Sequence, residues 1–259
     1  MARSTPERTR EPLRLIRRSF PEDPVLGTAV SRAILTRVAA GELPATMRVH
    51  RPARELAFGR RDVVSDGYAD AARAARGAGF EPVERLAGGR AAVFHEGTIA
   101  FTRVYPGPHP QRSTYERFEQ MAGSVSAALR ALGVDARVGE VPGEYCPGAY
   151  SVNSAGERKL SGIGQRMIRG GAHVGGVIMV SGEELANEAL VPVYRALGLG
   201  LEPAATGSVA GELGRPVDLD EVIAALIAEV AREHELEEAD VDEQTMALAH
   251  RLLAERDRA

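Results

Sequence analysis

The chain contains one cysteine, Cys146, and one lysine, Lys159, and both lie in the segment Gly143–Arg166. A thiolate is a strong nucleophile, and it forms most readily where the thiol is accessible and a positive charge is near. Cys146 lies in a Gly/Pro-containing loop, which favours accessibility over burial on an apolar strand. The residue type and its context therefore indicate a nucleophile, and an inert loop thiol is the alternative interpretation.

Lys159 stands out because every other basic residue among the 32 Lys and Arg of the chain is arginine. A lysine ammonium is a compact point charge with a tunable pKa, whereas arginine is a broad fork that keeps its charge. The small residues Ser161, Gly162 and Gly164 follow Lys159 and would leave room for a linear ligand beside the cation. The pattern favours a functional lysine, and a surface lysine retained by chance is the alternative.

A third segment, Arg85–His95, contains the step Gly88-Gly89. Backbone without side chains can approach a ligand closely and present N–H groups to a carbonyl or phosphate oxygen. The same pattern also fits a tight turn that joins two strands.

Hydrophobic periodicity and the Gly and Pro positions predict the elements that must hold these residues. Helices are predicted at 24–40, 66–77, 111–132, 185–197, 218–234 and 243–258. Strands are predicted at 47–52, 55–59, 80–85, 136–141 and 172–180, and hairpins at 91–104 and 149–168. This mixture predicts an α+β fold whose mixed, largely antiparallel sheet is flanked by helices.

Composition limits the class of protein. The 259 residues, 44% of them hydrophobic, can form one large globular domain. A net charge of −4 argues against sequence-independent nucleic-acid binding. We find no membrane-spanning run and no secretory signal, and a single cysteine fits a reducing, cytoplasmic setting. We expect residues 1–23 to form a tail, solvated over 1–10, residues 24–200 a catalytic domain, and residues 201–259 a linker and helices, with a solvated acidic stretch between the last two helices.

Three segments, taken in order, resemble the lipoate–protein ligase/octanoyltransferase superfamily, which shares its catalytic domain with biotin protein ligases. Residues 44–60 are similar to its first strands and their Gly-Arg end. Arg85–His95 resembles its Arg-x-x-Gly-Gly-(Gly/Arg)-Ala-Val-x-His stretch, and Arg158–Gln165 its Arg-Lys stretch that ends in Gln. The resemblance covers residues 24–200 and implies a biotin/lipoate ligase-like catalytic domain.

The resemblance also implies roles for single residues. Lys159 matches the family's lysine, and Cys146 lies where cysteine-dependent octanoyltransferases have their nucleophile, so both are expected to be catalytic. Gly-Gly-Arg90 is similar to those transferases, whereas many ATP-dependent ligases have a third glycine. Expected substrate-binding residues are Arg85, Gly88, Gly89, Arg90, His95, Ser161, Gly162 and Gln165. No metal site is expected for the transferase.

Three functions remain open. The first, which we expect, moves an octanoyl or lipoyl group from acyl carrier protein to a lysine of a lipoyl domain through a Cys146 thioester, without a cofactor. Lys159 and N–H groups near Gly88–Gly89 would hold the carbonyl oxygen. The lipoyl domain would belong to a 2-oxoacid dehydrogenase E2 or to the glycine cleavage H protein. The second is a ligase that uses ATP and Mg²⁺, and the third is a non-catalytic acyl- or lipoyl-domain-binding protein. Neither nucleic acid nor a membrane is an expected partner.

Overall fold

The strands form two sheets in the computed structural model, which describes residues 10–256. The larger sheet has the order β11-β1-β2-β6-β10-β9-β8-β7, and the smaller has the order β4-β3-β5. The strands are β1 (Glu11–Ile16), β2 (Thr46–His50), β3 (Glu55–Phe58), β4 (Glu81–Glu84), β5 (Ala92–Phe94), β6 (Thr98–Pro106), β7 (Ala136–Val138), β8 (Val152–Ser154), β9 (Arg158–Ile168), β10 (Gly171–Met179) and β11 (His234–Ala239).

Eight α-helices accompany the sheets in residues 10–256, together with 3₁₀ turns at Pro110–Ser113 and Pro203–Ala205. The helices are α1 (Pro24–Ala39), α2 (Arg60–Val63), α3 (Tyr68–Gly77), α4 (Thr114–Ala131), α5 (Glu183–Ala196), α6 (Val209–Leu213), α7 (Leu219–Val230) and α8 (Glu243–Arg256). Within this range no helix combines the length and the apolar character needed to cross a membrane.

Strand alternation sends successive side chains of the larger sheet into different layers, because neighbouring residues of a strand point to opposite faces. Leu13 and Leu15 pack in the core beneath α4 and α7, whereas Ile16 packs with α1 and α8. In β6, Phe101 joins the first core and Val104 the second. The smaller sheet, with α3 and α5, has a core of its own, which includes Met179 of β10.

The predicted α+β fold with a mixed, largely antiparallel sheet is confirmed, and so is the hairpin of β8 and β9. The hairpin predicted over 91–104 is wrong. β5 pairs with β3 in the smaller sheet, whereas β6 pairs with β2 and β10 in the larger one. The turn at His95–Thr98 is closed by a hydrogen bond from the Thr98 N–H to His95 O at 2.9 Å. It connects β5 of the smaller sheet to β6 of the larger sheet.

Both ends of the described chain contribute strands that the sequence analysis missed. β1 lies within the predicted tail and pairs in parallel with β2 and with β11, which begins at the last residue of the helix predicted at 218–234. The glutamates of β11 are exposed, as expected for a solvated acidic stretch. Arginines on and after β1 neutralise the acidic strand, as in the contact between Arg17 and Glu238 at 2.9 Å. The boundaries drawn at 23 and 201 therefore do not separate these ends from the sheet. The part of the predicted tail at 1–9 lies outside the described residues.

We expect Leu13→Ala to lower the free energy of unfolding by about 2–5 kcal/mol, because the substitution leaves a cavity at a fully buried position. Denaturant titration followed by circular dichroism measures the change. Arg17→Ala is the control on the same segment, since its ion pair is exposed and should be worth at most about 1 kcal/mol. Equal losses in the two variants would contradict a structural role for β1.

Candidate active site

A cavity of about 110 Å³ lies between the two sheets, on the face of the larger sheet that carries α1. Cys146 and Lys159 both line it, together with Arg85 and Gly162. The other walls come from the start of α1 and from strands β2, β3, β5, β6 and β10. The two residues singled out in the sequence therefore meet at one cavity, as the catalytic prediction requires.

The backbone of Cys146 is held in an unusual conformation. Its φ is 44°, in the left-handed region that side-chain-bearing residues seldom occupy. Its N–H donates to Tyr194 Oη at 2.6 Å, and the Tyr194 hydroxyl donates in turn to Ala91 O at 2.8 Å. A buried tyrosine of α5 thus fastens the cysteine to the chain that leads into β5. Strained backbone that is fixed by its surroundings is typical of functional positions.

Two N–H donors point at the sulfur of Cys146. Arg85 Nη1 lies 3.4 Å from Sγ, and the backbone N of Arg90 lies 3.3 Å from it. Burial alone raises the pKa of the thiol, but the charges of Arg85 and Lys159 and the Arg90 N–H outweigh it, and the pKa falls below its ordinary value. The site therefore favours the thiolate, the reactive form of cysteine.

Lys159 is fully buried and uses all three ammonium protons within the protein. Its Nζ donates to Tyr145 O and Cys146 O, each at 2.8 Å, and to Glu144 Oε1 at 3.2 Å. Desolvation lowers the pKa of Lys159, while the negative charges of Cys146 and Glu144 oppose that shift. The lysine therefore fastens the cysteine loop as well as placing a charge near the thiol.

Glu144 is the buried partner of that lysine, and its side chain is fully enclosed. Its carboxylate also accepts hydrogen bonds from Ser151 Oγ at 2.6 Å, Gly148 N at 3.0 Å and Val141 N at 3.2 Å. A buried carboxylate needs such compensation, because removing a charge from water is costly. Glu144 thereby draws both arms of the cysteine loop together.

The glycine turn is positioned by a second ion pair. Arg90 Nη1 lies 2.9 Å from Oδ1 of Asp62, whose side chain is completely buried. Asp62 also accepts from the N–H of Gly59 at 3.2 Å. At Gly89, whose φ is 118°, an added Cβ would lie 2.8 Å from Cys146 Sγ, and one at Gly59 would lie 1.7 Å from Gly89 O. Both glycines are required for the turn to reach the sulfur.

The small residues after Lys159 make room for cations. A Cβ at Gly162 would lie 3.1 Å from Lys159 Cε, and one at Gly164 would lie 2.6 Å from Arg85 Nη2. Gly162 also lines the cavity, but Gly164 does not. At Gly164, therefore, the Arg85 guanidinium occupies the space that was expected to accommodate a linear ligand.

Other residues predicted to bind substrate lie outside the cavity lining. Ser161 points to the opposite face of β9 from Gly162, and His95 is enclosed in the turn before β6, where it accepts from Gly97 N at 3.0 Å. The Gln165 side chain accepts from Arg117 Nε at 2.7 Å, and its carbonyl accepts from Gly88 N at 3.3 Å. The bond between Gly88 and Gln165 therefore holds the glycine turn against β9, whereas Ser161 and His95 make no contact with the cavity. Direct substrate contact by these four residues remains a prediction.

Three site residues were missed by the sequence analysis: Glu144, Asp62 and Tyr194. The adjacency of Glu144 to Cys146 was visible, but an acidic residue in a loop normally indicates a solvated surface. Asp62 and Tyr194 lie 84 and 48 positions from Cys146, and only the fold brings them to it. Within residues 10–256 there is no cluster of three His, Cys, Asp or Glu side chains able to hold a metal ion.

A mixed sheet, a cavity between two sheets and a thiol that faces a guanidinium and a backbone N–H are together typical of the catalytic domain of an enzyme. Residues 23–231 match the family described as the lipoyl protein ligase A/B catalytic domain. The chain belongs to this family.

Relatives and solved structures agree with that assignment. An octanoyl-GcvH:protein N-octanoyltransferase from Geobacillus kaustophilus is 29% identical over 76% of this chain and 73% of the relative. One of the same name from Bacillus velezensis is 30% identical over 56% of this chain and half of the relative. The fold is similar to lipoate-protein ligase A bound with ATP, with a TM-score of 0.74, 21% identity and 94% of each chain covered. A bipartite lipoate protein ligase from Thermoplasma acidophilum has a TM-score of 0.72 at 20% identity, with 94% of this chain and 92% of that chain covered.

We expect Asp62→Asn to raise the pKa of the Cys146 thiol, because the Arg90 side chain loses its ionic anchor and the Arg90 N–H no longer stays directed at Sγ. The pH profile of alkylation by iodoacetamide should move to higher pH. Since Cys146 is the chain's single cysteine, the signal reports this site alone. Arg60→Ala, an exposed change on the same short helix, should leave the profile unchanged. Superimposable profiles for Asp62→Asn and the unchanged protein would contradict the coupling.

Proposed function

We propose that this protein transfers an octanoyl group to a lysine of a lipoyl domain through a thioester on Cys146. The observation that carries the proposal is the Cys146 sulfur, which lies at the cavity between the two sheets, accepts from two N–H donors and has a lowered pKa. Family membership and the names of the relatives support octanoyl as the transferred group.

The reaction has two displacement steps. The Cys146 thiolate attacks the acyl carbonyl carbon of the donor, an S–C bond forms, and the bond from that carbon to the donor's heteroatom breaks. A thiol donor departs as thiolate, whereas a lysine donor departs as an amine that takes up a proton. The neutral amine of the acceptor lysine then attacks the thioester carbon, releases the Cys146 thiolate and loses a proton. The product is an amide, and the enzyme is regenerated.

For the oxyanion donors we keep one backbone N–H beside Gly88–Gly89, that of Arg90, and propose Arg85 in place of Lys159. All three protons of Lys159 are engaged, and the Gly88 N–H donates to Gln165 O. Arg85 Nη1 and the Arg90 N–H contact Sγ in the free enzyme, and they lose the thiolate when Sγ becomes acylated. We therefore propose that these two groups donate hydrogen bonds to the carbonyl oxygen of the acyl group. Losing one such donor typically costs about 10²–10³ in rate.

The donor is best sought among proteins that carry octanoyl-lysine. The relatives are named for octanoyl-GcvH as donor, so we propose a GcvH-type lipoyl domain as donor and a second lipoyl domain, such as that of an E2 subunit, as acceptor. Acyl carrier protein, the donor expected from the sequence, supplies the same acyl group as a thioester. Neither route requires ATP or Mg²⁺, because each begins with an acyl group that is already attached.

Intact-mass spectrometry of the protein after incubation with octanoyl-GcvH tests the covalent route. We expect a mass gain of one octanoyl group, and Cys146→Ala should abolish it and reduce transfer to the acceptor by at least about 10³-fold. Parallel arms replace the donor with octanoyl–acyl carrier protein, or with octanoate plus ATP and Mg²⁺. Arg112→Ala, an exposed change, is the control. Transfer that requires ATP and survives Cys146→Ala would overturn the proposal.

The buried pair of Lys159 and Glu144 predicts that stability and activity can be separated. Lys159→Met should cost about 3–5 kcal/mol, because it leaves the Glu144 charge unpaired in the core. Adding Glu144→Gln should recover much of that loss, since an amide oxygen still accepts from Ser151 and carries no charge. The double variant should fold but remain slow in acyl transfer, because the Cys146 thiol has lost the nearby cation.

Chemical denaturation and the rate of transfer measure the two effects. Recovery of activity together with stability in the double variant would show that Lys159 contributes through folding alone.

A further inference from the structure

The cavity extends across the larger sheet, away from the reactive thiol. Gly162, Val177, Ala100 and His50 stand opposite one another across β9, β10, β6 and β2, and all four line the cavity. Lys159 lies over Gly162, with Nζ 3.3 Å from the position of an added Cβ. Adjacent strands are about 4.8 Å apart, so the row spans roughly 14 Å from the lysine end to the His50 backbone.

The His50 end of this row is polar. His50 Nδ1 is buried and has no hydrogen-bond partner among the described residues. Desolvation, and secondarily the charge of Arg48, hold the pKa of His50 well below its usual range, so the imidazole is neutral. A neutral imidazole offers one donor and one acceptor. A buried polar atom without a partner is costly, which indicates a ligand or water as its partner.

Glu55, at the start of β3, lines the same cavity. It is 7% exposed, and its carboxyl forms no hydrogen bond to any residue within 10–256. Burial raises the pKa of Glu55 to about 8, although the charge of Arg48 opposes the rise, so the carboxyl is mainly protonated at neutral pH. A protonated carboxyl can donate as well as accept a hydrogen bond.

Nearby polar groups are already satisfied by the protein, which sets His50 and Glu55 apart. The Arg48 guanidinium donates to Arg18 O at 3.0 Å, to Gly27 O at 2.9 Å and to Ser31 Oγ at 3.0 Å. Thr102 and His173, which also line the cavity, hydrogen-bond to each other at 3.0 Å. His50 and Glu55 are thus left without a protein partner at this end, and a molecule bound in the cavity can supply one.

We propose that His50 and Glu55 form a polar terminus that selects acyl chains with a hydrogen-bonding group, such as a hydroxyl, at or near their far end. The inference rests on the proposed function only in that the cavity holds the acyl chain. An extended chain advances about 1.2 Å per bond, so eight carbons span roughly 9 Å. The His50 side chain covers part of the remaining distance. Chains of about eight to ten carbons would therefore bring a terminal hydroxyl to these residues.

Rates of Cys146 acylation by pantetheine thioesters test the selection. The probes are octanoyl, 8-hydroxyoctanoyl and 10-hydroxydecanoyl pantetheine, followed by intact-mass spectrometry. A hydroxyl that pairs with otherwise unsatisfied buried groups should favour at least one hydroxylated probe over octanoyl by about tenfold. Glu55→Leu and His50→Leu should each reduce or reverse that ratio. Glu55→Gln, which keeps a donor and an acceptor, should retain most of it.

Glu81→Leu is the matched control, because Glu81 lies opposite Glu55 on the neighbouring strand β4 but is exposed. It should leave the ratio unchanged. A wild-type preference for octanoyl over both hydroxylated probes, or a ratio that neither leucine variant moves, would overturn the proposal.

Equilibrium binding to the Cys146→Ser variant separates this inference from the catalytic one. Octanamide and 8-hydroxyoctanamide are compared by calorimetry, so no acyl transfer is needed. Tighter binding of the hydroxylated amide that is lost in Glu55→Leu supports the polar terminus even if no thioester forms. Equal binding of the two amides contradicts it, whatever the outcome of the transfer assays.

Discussion

The buried pair of Glu144 and Lys159 is the interaction on which the rest of the site depends. The carboxylate gathers two backbone N–H groups, a serine hydroxyl and the ammonium, and the ammonium binds the carbonyls of Tyr145 and Cys146. Either charge alone would be strongly destabilising in this environment, so the pair persists only while both partners and their hydrogen bonds are present. This buried interaction thus holds the loop together and, after Arg85, adds to the positive potential at the thiol.

That constraint explains why the cysteine tolerates its backbone conformation. A non-glycine residue with φ of 44° carries a local energetic cost. Lys159 holds the Cys146 carbonyl from one side, and Tyr194 accepts the Cys146 N–H from the other. The two anchors come from β9 and α5, which belong to different layers. The sulfur is therefore directed at the Arg85 and Arg90 donors by the packing of the layers, and the loop sequence alone would not direct it there.

The sequence predicts those elements whose periodicity and turn residues lie within a few neighbouring positions. The β8–β9 hairpin and α1 carry periodicity and turn residues within a few positions, and the sequence predicts them well. β11 reads His-Glu-Leu-Glu-Glu-Ala and has no apolar alternation, because it is an edge strand paired on one side and balanced by arginines near β1. Cys146 and Lys159 stood out by residue type. Tyr194 and Asp62 did not, since nothing in their neighbourhoods distinguishes them until the chain is folded.

The arginine-rich composition gives the lone lysine a structural reason. Around the thiol the chain uses two cations in different ways. The Arg85 guanidinium serves two partners, because its Nη1 donates both to Cys146 Sγ and to the Arg90 carbonyl. It occupies the space that the missing side chain of Gly164 leaves open. Lys159 instead brings three acceptors to one point, in an enclosure where Gly162 already lies against the side chain. A planar guanidinium cannot satisfy three convergent acceptors in that volume. Arginine replaces lysine elsewhere in this chain, but the geometry of position 159 requires a compact cation.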